Sequence, residues 1–404
     1  MSELNKLINT LCPEGIEYKT LGEIALEVFR GSGITRDQVT LTGTPCVRYG
    51  EIYTTYSIWF EKCISHTDEE IIQNKKYFEH GDILFAITGE SVDEIAKSCA
   101  YVGHEKCLAG GDIVVLKHNQ EPKYIAYALS TLQAQKQKSK GKIKSKVVHS
   151  SVPAIKEIRI PLPPLPIQRE IVSILDTFAD LTADLTAELT ARQKQYEYYR
   201  KLILSIDRKK YTTTKLMALG EVGSISMCKR IMKSETSPEG DVPSYKIGTF
   251  GKAPDAYIKE EIYSKYRNLY SFPKKGDILI SAAGTIGRTV IYDGEPAYYQ
   301  DSNIVWVDND ESKVLNKYLF YCYALKPWSI STGGTISRLY NDNISKAKIP
   351  VPSLSEQQHI VDFLDQFDAL CNDLSCGLPA EIEARRKQYE YYRDTLLTFK
   401  EKRA

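Results

Sequence analysis

The sequence predicts an α+β fold: two tandem β-rich domains with few helices, separated by two long helices pairing as an antiparallel coiled coil, the whole a pseudo-two-fold internal repeat. Three observations predict it. Lys194-Gln195-Tyr196-Glu197-Tyr198-Tyr199-Arg200 returns letter for letter as Lys387-Gln388-Tyr389-Glu390-Tyr391-Tyr392-Arg393. Apolar residues recur at alternating steps of three and four in two stretches: Ile171, Ile174, Phe178, Leu181 and Leu185, then Ile360, Phe363, Phe367, Leu370 and Leu374. Each stretch follows a proline-marked entry, Pro161, Pro163, Pro164 and Pro166 in one case and Pro350 and Pro352 in the other.

The duplication extends upstream. Gln168, Ile171 and Val172 are answered by Gln357, Ile360 and Val361, Gly81-Asp82-Ile83-Leu84 by Gly276-Asp277-Ile278-Leu279, and Leu21-Gly22-Glu23 by Leu219-Gly220-Glu221. Before each helix lie short alternating segments broken by Gly, Pro, Asn and Asp, which read as strands and turns. Because the two apolar stripes match, each can cover the other, so an intramolecular antiparallel pair is expected. Ser375-Cys376-Gly377-Leu378-Pro379 should interrupt the second helix, with Pro379 in the first turn of a restarted segment.

A chain of 404 residues exceeds the size at which a single core stops growing, so two or more domains are expected. Lys plus Arg number 53 against 52 Asp plus Glu, so a polyanion-binding surface has to come from local clustering. The start, Met1 to Lys6, lacks a basic segment followed by an apolar one, and no eighteen apolar residues run together, so a cytoplasmic location and no membrane association are expected. Nine cysteines without a CxxC pair read as reduced thiols. Cys63, His66, Cys99, His104 and Cys107 could in principle supply a zinc site, but their spacing matches no common zinc module, and no metal is expected.

The duplicated Ile-Pro-x-Pro entry with its Gln and Ile-Val, the Gly-Asp-Ile-Leu segment and the Lys-Gln-Tyr-Glu-Tyr-Tyr-Arg helix end resemble type I restriction-modification specificity subunits, over almost the entire chain. The resemblance implies a target-recognition domain at 1–160, a central spacer helix at 161–208, a second target-recognition domain at 209–349 and a C-terminal spacer helix at 350–404, interrupted near 375–379. It further implies a bipartite, asymmetric duplex DNA target, two methyltransferase subunits docked on the helices, and restriction/translocase subunits beyond them. The chain itself would be a non-catalytic specificity subunit with no cofactor, AdoMet, ATP and Mg residing on the partners. After Gly-Asp-Ile-Leu the repeats diverge, Thr88-Gly89-Glu90-Ser91 against Ala283-Gly284-Thr285-Ile286, so the two half-sites should differ.

Phosphate contact is expected first from Lys136, Lys138, Lys140, Lys142, Lys144 and Lys146, which alternate and would share one face of an extended chain. Base reading needs bidentate or hydrogen-bonding side chains on loops. The candidates are Arg48, Asn74, Lys75, Lys76 and Lys97 in the first domain, and Arg230, Lys246, Arg288, Asn303 and Arg338 in the second. Tyr196, Tyr198, Tyr199, Tyr389, Tyr391 and Tyr392 repeat identically, which suits identical protein partners better than different DNA half-sites.

Two other readings compete. Phe29-Arg30-Gly31-Ser32-Gly33 fits the FxGxG pattern of a methyltransferase cofactor site, but no Asn-Pro-Pro or Asp-Pro-Pro accompanies it, and the glycines read as a turn. No GxxxxGK[ST] phosphate loop occurs either, which leaves ATP-driven movement to partners. A coiled-coil adaptor without DNA binding would explain the helices but not the two divergent domains they carry.

Overall fold

The computed structural model describes residues 2–140, 146–205, 214–330 and 338–402. The chain divides into two compact units, residues 1–186 with 382–404, and residues 187–381. These units cut across the linear division into domains and spacers, because each takes part of one long helix and part of the other.

In the first unit a five-stranded sheet forms the centre. Its order runs β1 (Glu27–Arg30), β4 (Ile113–Lys117), β2 (Ile83–Ala86), β3 (Ser98–Tyr101), then Trp59–Phe60, antiparallel except for the last pair. Strands β2, β3 and most of β4 are buried on both faces, and apart from Ser98 their buried residues are apolar or aromatic, as strands covered on both sides require. Helices α1 (Ser2–Leu11) and α2 (Pro122–Leu129) contribute to the core on one face, including Leu4, Tyr124 and Ile125. Tyr56, Phe60, Phe78 and Tyr101 fill a second core. Residues 400–402 lie beside Ile16, whose N–H donates to the Lys400 carbonyl (2.9 Å) and whose carbonyl accepts from Lys402 (3.0 Å).

The second unit rebuilds this plan. Its sheet runs β5 (Ser224–Ser226), β8 (Ile304–Asp308), β6 (Ile278–Ser281), β7 (Thr289–Ile291), all antiparallel. Helix α5 (Asn316–Ala324) takes the place of α2. The matched sequence pieces have matched structural causes. Gly81 (φ +94°) and Gly276 (φ +92°) turn the chain into β2 and β6 in a conformation that L side chains rarely adopt. The following Asp82 and Asp277 accept from the N–H of Glu79 (2.9 Å) and Lys274 (2.8 Å), closing that turn. Burial raises the pKa of both carboxyls. Gln168 and Gln357 are fully buried, and their amides donate to the carbonyls of Pro163 (2.7 Å) and Pro352 (2.9 Å) at the helix entries.

Helix α4 (Leu165–Leu204) runs 40 residues without a break. Its counterpart is divided into α6 (Leu354–Asn372) and α7 (Leu378–Leu396). The tight turn between them needs glycine, since a Cβ on Gly377 would lie 2.4 Å from the Ala369 carbonyl oxygen. Within the first unit α4 and α7 run antiparallel: Phe178 meets Tyr392, while Arg159, ahead of α4, meets Glu401 beyond α7. In the second unit Tyr196 meets Phe367 and Tyr199 meets Phe363, again opposite in direction.

The expected apolar seam is only partly the one observed. Ile171 and Ile360 are buried, and Ile174, Phe178 and Phe367 pack partly. Leu185 is half-buried, whereas Leu181, Phe363, Leu370 and Leu374 are exposed, Leu374 at 83%. Beside Ile171 and Ile360, the first turns also bury Ile167, Val172 and Leu175 on α4 and Val361 and Leu364 on α6, which lie off the alternating stripe. The first turns of each helix bury a wider face in their own unit's core, whose contribution is about 1.5–3 kcal/mol per fully buried Leu or Ile, and the alternating stripe describes only one edge of it.

The alternating lysines do not share one face of an extended chain. Leu132–Ser139 is a helix, α3, so Lys136 and Lys138 point in different directions, and Lys140 is its C-cap. The sequence there, LQAQKQKS, consists of helix formers with no β-branched residue, and the Thr131 hydroxyl caps it by accepting from the Ala134 N–H (3.3 Å). Lys136, Lys140 and Lys146 are exposed, while Lys138 is 4% exposed. Lys142 and Lys144 lie outside the described residues.

Candidate nucleic-acid interface

One end of each sheet gathers loops that are far apart in sequence. In the first unit the Ile87 N–H donates to the Asp112 carbonyl, and the Ile87 carbonyl accepts from Ser150 (2.9 and 2.8 Å). In the second the Ala282 N–H donates to the Asn303 carbonyl, and the Ala282 carbonyl accepts from Leu339 (2.7 and 2.8 Å). The hairpin after β2 or β6, the turn before β4 or β8 and the segment before the helix entry therefore meet at equivalent places. An arginine joins each group at or beyond the first sheet strand: Arg30 pairs with Asp112 (2.6 Å) and Arg230 with Asp301 (2.9 Å).

The second unit brings most of its candidates together here. Arg230 keeps a side-chain exposure of 67% beside its aspartate. Arg338 donates to the Ser302 carbonyl (2.8 Å), Asn303 sits half-buried on the same turn, and Arg288 closes the hairpin. A shallow cavity of about 720 Å³ opens beside them, lined by Met227, Ser302, Arg338, Tyr340, Asn341 and Lys346. Lys246 is exposed and paired with Asp255 (3.3 Å) on an adjoining turn, where the Ile247 N–H donates to the Gln300 side chain.

The first unit is more dispersed. Arg48 caps a short helix and holds the buried Glu51 (3.0 Å), which also accepts from Ser65 (2.7 Å), so its role there is structural. Asn74, Lys75 and Lys76 are exposed and pinned near Arg30 through Ser32, which donates to the Asn74 carbonyl (2.7 Å) and accepts from the Lys76 N–H (2.9 Å). Lys75 pairs with Glu69 (3.4 Å). Lys97 lies half-buried at the end of the hairpin, donating to the Tyr53 carbonyl (3.0 Å). Sequence reasoning missed Arg30 as a contact candidate and His149, whose ring meets Thr88 (3.2 Å) at the position Arg338 takes in the other unit. The signal for His149 was its place in the repeat.

The surface offers arginine and lysine donors with hydroxyl and amide groups on turns, the set that phosphates and base edges accept. In Phe29-Arg30-Gly31-Ser32-Gly33 the first glycine serves chain crossing, since a Cβ on Gly31 would lie 2.3 Å from the Gly110 carbonyl oxygen, whereas a Cβ on Gly33 would meet open space. Cys63 packs against the core that holds Cys99 and Cys107, whereas His104 stacks on His80 (4.9 Å). Among the described residues no three His, Cys, Asp or Glu side chains converge as a metal site, and no helix is long and apolar enough to cross a membrane.

The helical tyrosines split by position. Tyr196 is buried, and Tyr199, Tyr389 and Tyr392 turn inward onto Phe363 and Phe367, Tyr127, and Phe178 respectively. Tyr198 and Tyr391 stand out at 62% and 66% exposure. Tyr391 edges a groove with Lys387, Glu390, Asp394, Thr395 and Thr398.

Comparison with known proteins agrees with this architecture. The family model of the type I restriction modification DNA specificity domain matches residues 13–192 and 212–384. A putative type I restriction enzyme specificity subunit of Haemophilus influenzae is 58% identical over 253 residues, 61% of this chain and 65% of that protein, so the match spans just under two thirds of that relative. The EcoR124I/EcoR124II specificity subunit of Escherichia coli is 33% identical over 296 residues, 69% of this chain and 70% of that protein. In fold, the chain is similar to one from a structure of type I R-M complex assembly and conformational transition (TM-score 0.66, 18% identity, 95% of this chain and 97% of that one). It is also similar to the HsdS subunit from Thermoanaerobacter tengcongensis (TM-score 0.55, 18% identity, 96% and 97%). With two matched domains and a repeated helical frame, the chain belongs to the type I restriction-modification DNA specificity family.

Proposed function

We propose that this chain is the DNA-reading, non-catalytic subunit of a type I restriction-modification enzyme, each unit reading one half of a bipartite, asymmetric duplex target. What carries the reading is a repeated frame holding unlike loops. Tyr127 and Tyr321 donate to Asp176 and Asp365, and Tyr124 and Tyr318 to the carbonyls of Pro161 and Pro350, while the hairpins 87–96 and 282–287 differ in length and composition. A shared frame with divergent tips suits two different half-sites presented to equivalent partners.

On this reading the equivalent helix faces bearing Tyr198 and Tyr391 dock two methyltransferase subunits, and restriction/translocase subunits join through that assembly. AdoMet, ATP and Mg belong to those partners. Retention of a target-bearing duplex by the assembled subunits, competed by duplexes scrambled in one half, tests DNA reading; retention indifferent to both halves overturns it. Native mass measurement tests the stoichiometry, where a one-to-one complex in the presence of excess methyltransferase would exclude paired docking.

A further inference from the structure

Lys97 and Arg288 occupy the same place in the two units. The Ala86 N–H donates to the Lys97 carbonyl and the Ser281 N–H to the Arg288 carbonyl, both at 2.9 Å, closing the hairpins that follow β2 and β6. From there each cation reaches sideways to a backbone oxygen of a neighbouring loop. The Lys97 ammonium donates to the Tyr53 carbonyl (3.0 Å), and the Arg288 guanidinium to the Phe250 carbonyl (2.8 Å). Tyr53 lies in the short helix Tyr49–Thr54, and Phe250 follows the turn that carries Lys246.

These contacts are reinforced from the other side. The Tyr53 hydroxyl donates to the Ala86 carbonyl (3.3 Å), and a Cβ on Gly89 would fall 2.7 Å from that hydroxyl, so hairpin and loop are in close contact. In the second unit Ser281 accepts from the Arg288 N–H (2.8 Å), and Phe250 is 1% exposed. A charged donor on a carbonyl withdrawn from water makes a stronger bond than a neutral donor. Two side chains of different type, on hairpins of different sequence, make the same cross-link.

We propose that Lys97 and Arg288 are positioning residues rather than DNA contacts: each latches a neighbouring loop to its divergent hairpin and so sets the geometry with which one unit reads one half-site. This rests on the DNA-reading function proposed above. A latch and a phosphate contact differ in what they do to salt dependence, because a lost phosphate contact flattens the slope of log K against log salt by about 0.9.

The test uses the full chain assembled with its methyltransferase subunits, in the variants Lys97→Met, Arg288→Met, Lys97→Arg and Arg288→Lys. Binding is read on a target duplex and on duplexes scrambled in either half, across a salt series, and amide exchange is followed in residues 49–56 and 246–252 without DNA. Lys97→Met should speed exchange in 49–56 and reduce discrimination about tenfold at one half-site; Arg288→Met should speed exchange in 246–252 and do the same at the other. Salt slopes should not change, and Lys97→Arg and Arg288→Lys should restore most of the loss. A slope reduced by about 0.9 with discrimination intact would make these residues phosphate contacts. Unchanged exchange, or loss at both half-sites together, overturns the latch. Should the unaltered assembly discriminate no duplex, DNA reading falls, and the exchange data still decide whether the latch exists.

Discussion

Tyr392 lies flat on Phe178, with 5.1 Å between ring centroids and 20° between planes, so the last turns of one repeat's helix complete a core begun more than two hundred residues earlier. Tyr391, one position before it, is 66% exposed. Tyr392→Ala should therefore cost about 3 kcal/mol in denaturant unfolding, the range for a truncated, well-packed aromatic. Tyr391→Ala should stay within about 0.5 kcal/mol of the parent yet weaken capture of the methyltransferase subunit, as should Tyr198→Ala. Unchanged capture by the double variant would remove these tyrosines from the docking face.

Gln168→Leu and Gln357→Leu should each destabilise the chain by about 3 kcal/mol, because two or more buried backbone groups lose their partners. Gln168 accepts from the Glu121 N–H (3.0 Å) and donates to the Pro163 carbonyl; Gln357 accepts from the Leu315 N–H (2.8 Å) and donates to the carbonyls of Lys313 and Pro352 (both 2.9 Å). Urea unfolding of each variant measures this. Losses below about 1 kcal/mol would mean that the motif is not held for its hydrogen bonds.

Lys138 supplies a pH signature. Among the described residues its ammonium donates to the neutral Ser98 hydroxyl (3.2 Å) and Leu129 carbonyl (2.8 Å), and burial pushes its pKa down to about 7. In the unfolded chain the group titrates near 10.4, so from about pH 7 upward the unfolded state holds the extra proton and stability rises with pH. Relative to Lys138→Met, the parent chain should gain about 2 kcal/mol between pH 7 and pH 9, read from urea midpoints. Parallel pH curves for the two proteins would show that the ammonium is solvated.

Because α4 is continuous, four residues added after Leu185 lengthen it by about 6 Å, close to 2 base pairs at about 3.4 Å each. The expected result is methylation of the same two half-sites across a longer unread gap, the stutter being absorbed by local unwinding. Sequencing of methylated DNA checks it. Altered half-sites with an unchanged gap would show that α4 does not set the spacing.

The duplication was legible because its pieces have backbone reasons that survive divergence: a left-handed glycine before β2 and β6, an aspartate closing the same turn, a glutamine at each helix entry. Alternating lysines had no such anchor. Spacing by two implies a shared face only if the chain is extended, and a threonine cap followed by Gln, Ala and Lys made it helical. The stripe through Leu181 and Leu374 misled for a related reason, since periodicity identifies an apolar face but not which neighbour covers it. Lys97 and Arg288 were found as cations, but their carbonyl partners come from loops whose approach depends on the folded sheet.

The first unit is assembled from both ends of the described chain, with Ile16 bonded to Lys400 and Lys402, and Phe178 under Tyr392. The second unit is drawn from one uninterrupted stretch, residues 187–381. During synthesis the order of completion is therefore the reverse of the order of appearance. Synthesis supplies the last residue of the second unit, 381, before the first unit has 382–404, and until then Phe178 lacks the Tyr392 ring that stacks on it. At about 5–20 residues per second, that wait lasts on the order of ten seconds for the 195 intervening residues. Over that interval the first core is without Leu396, Leu397 and Tyr392, which complete it in the full chain.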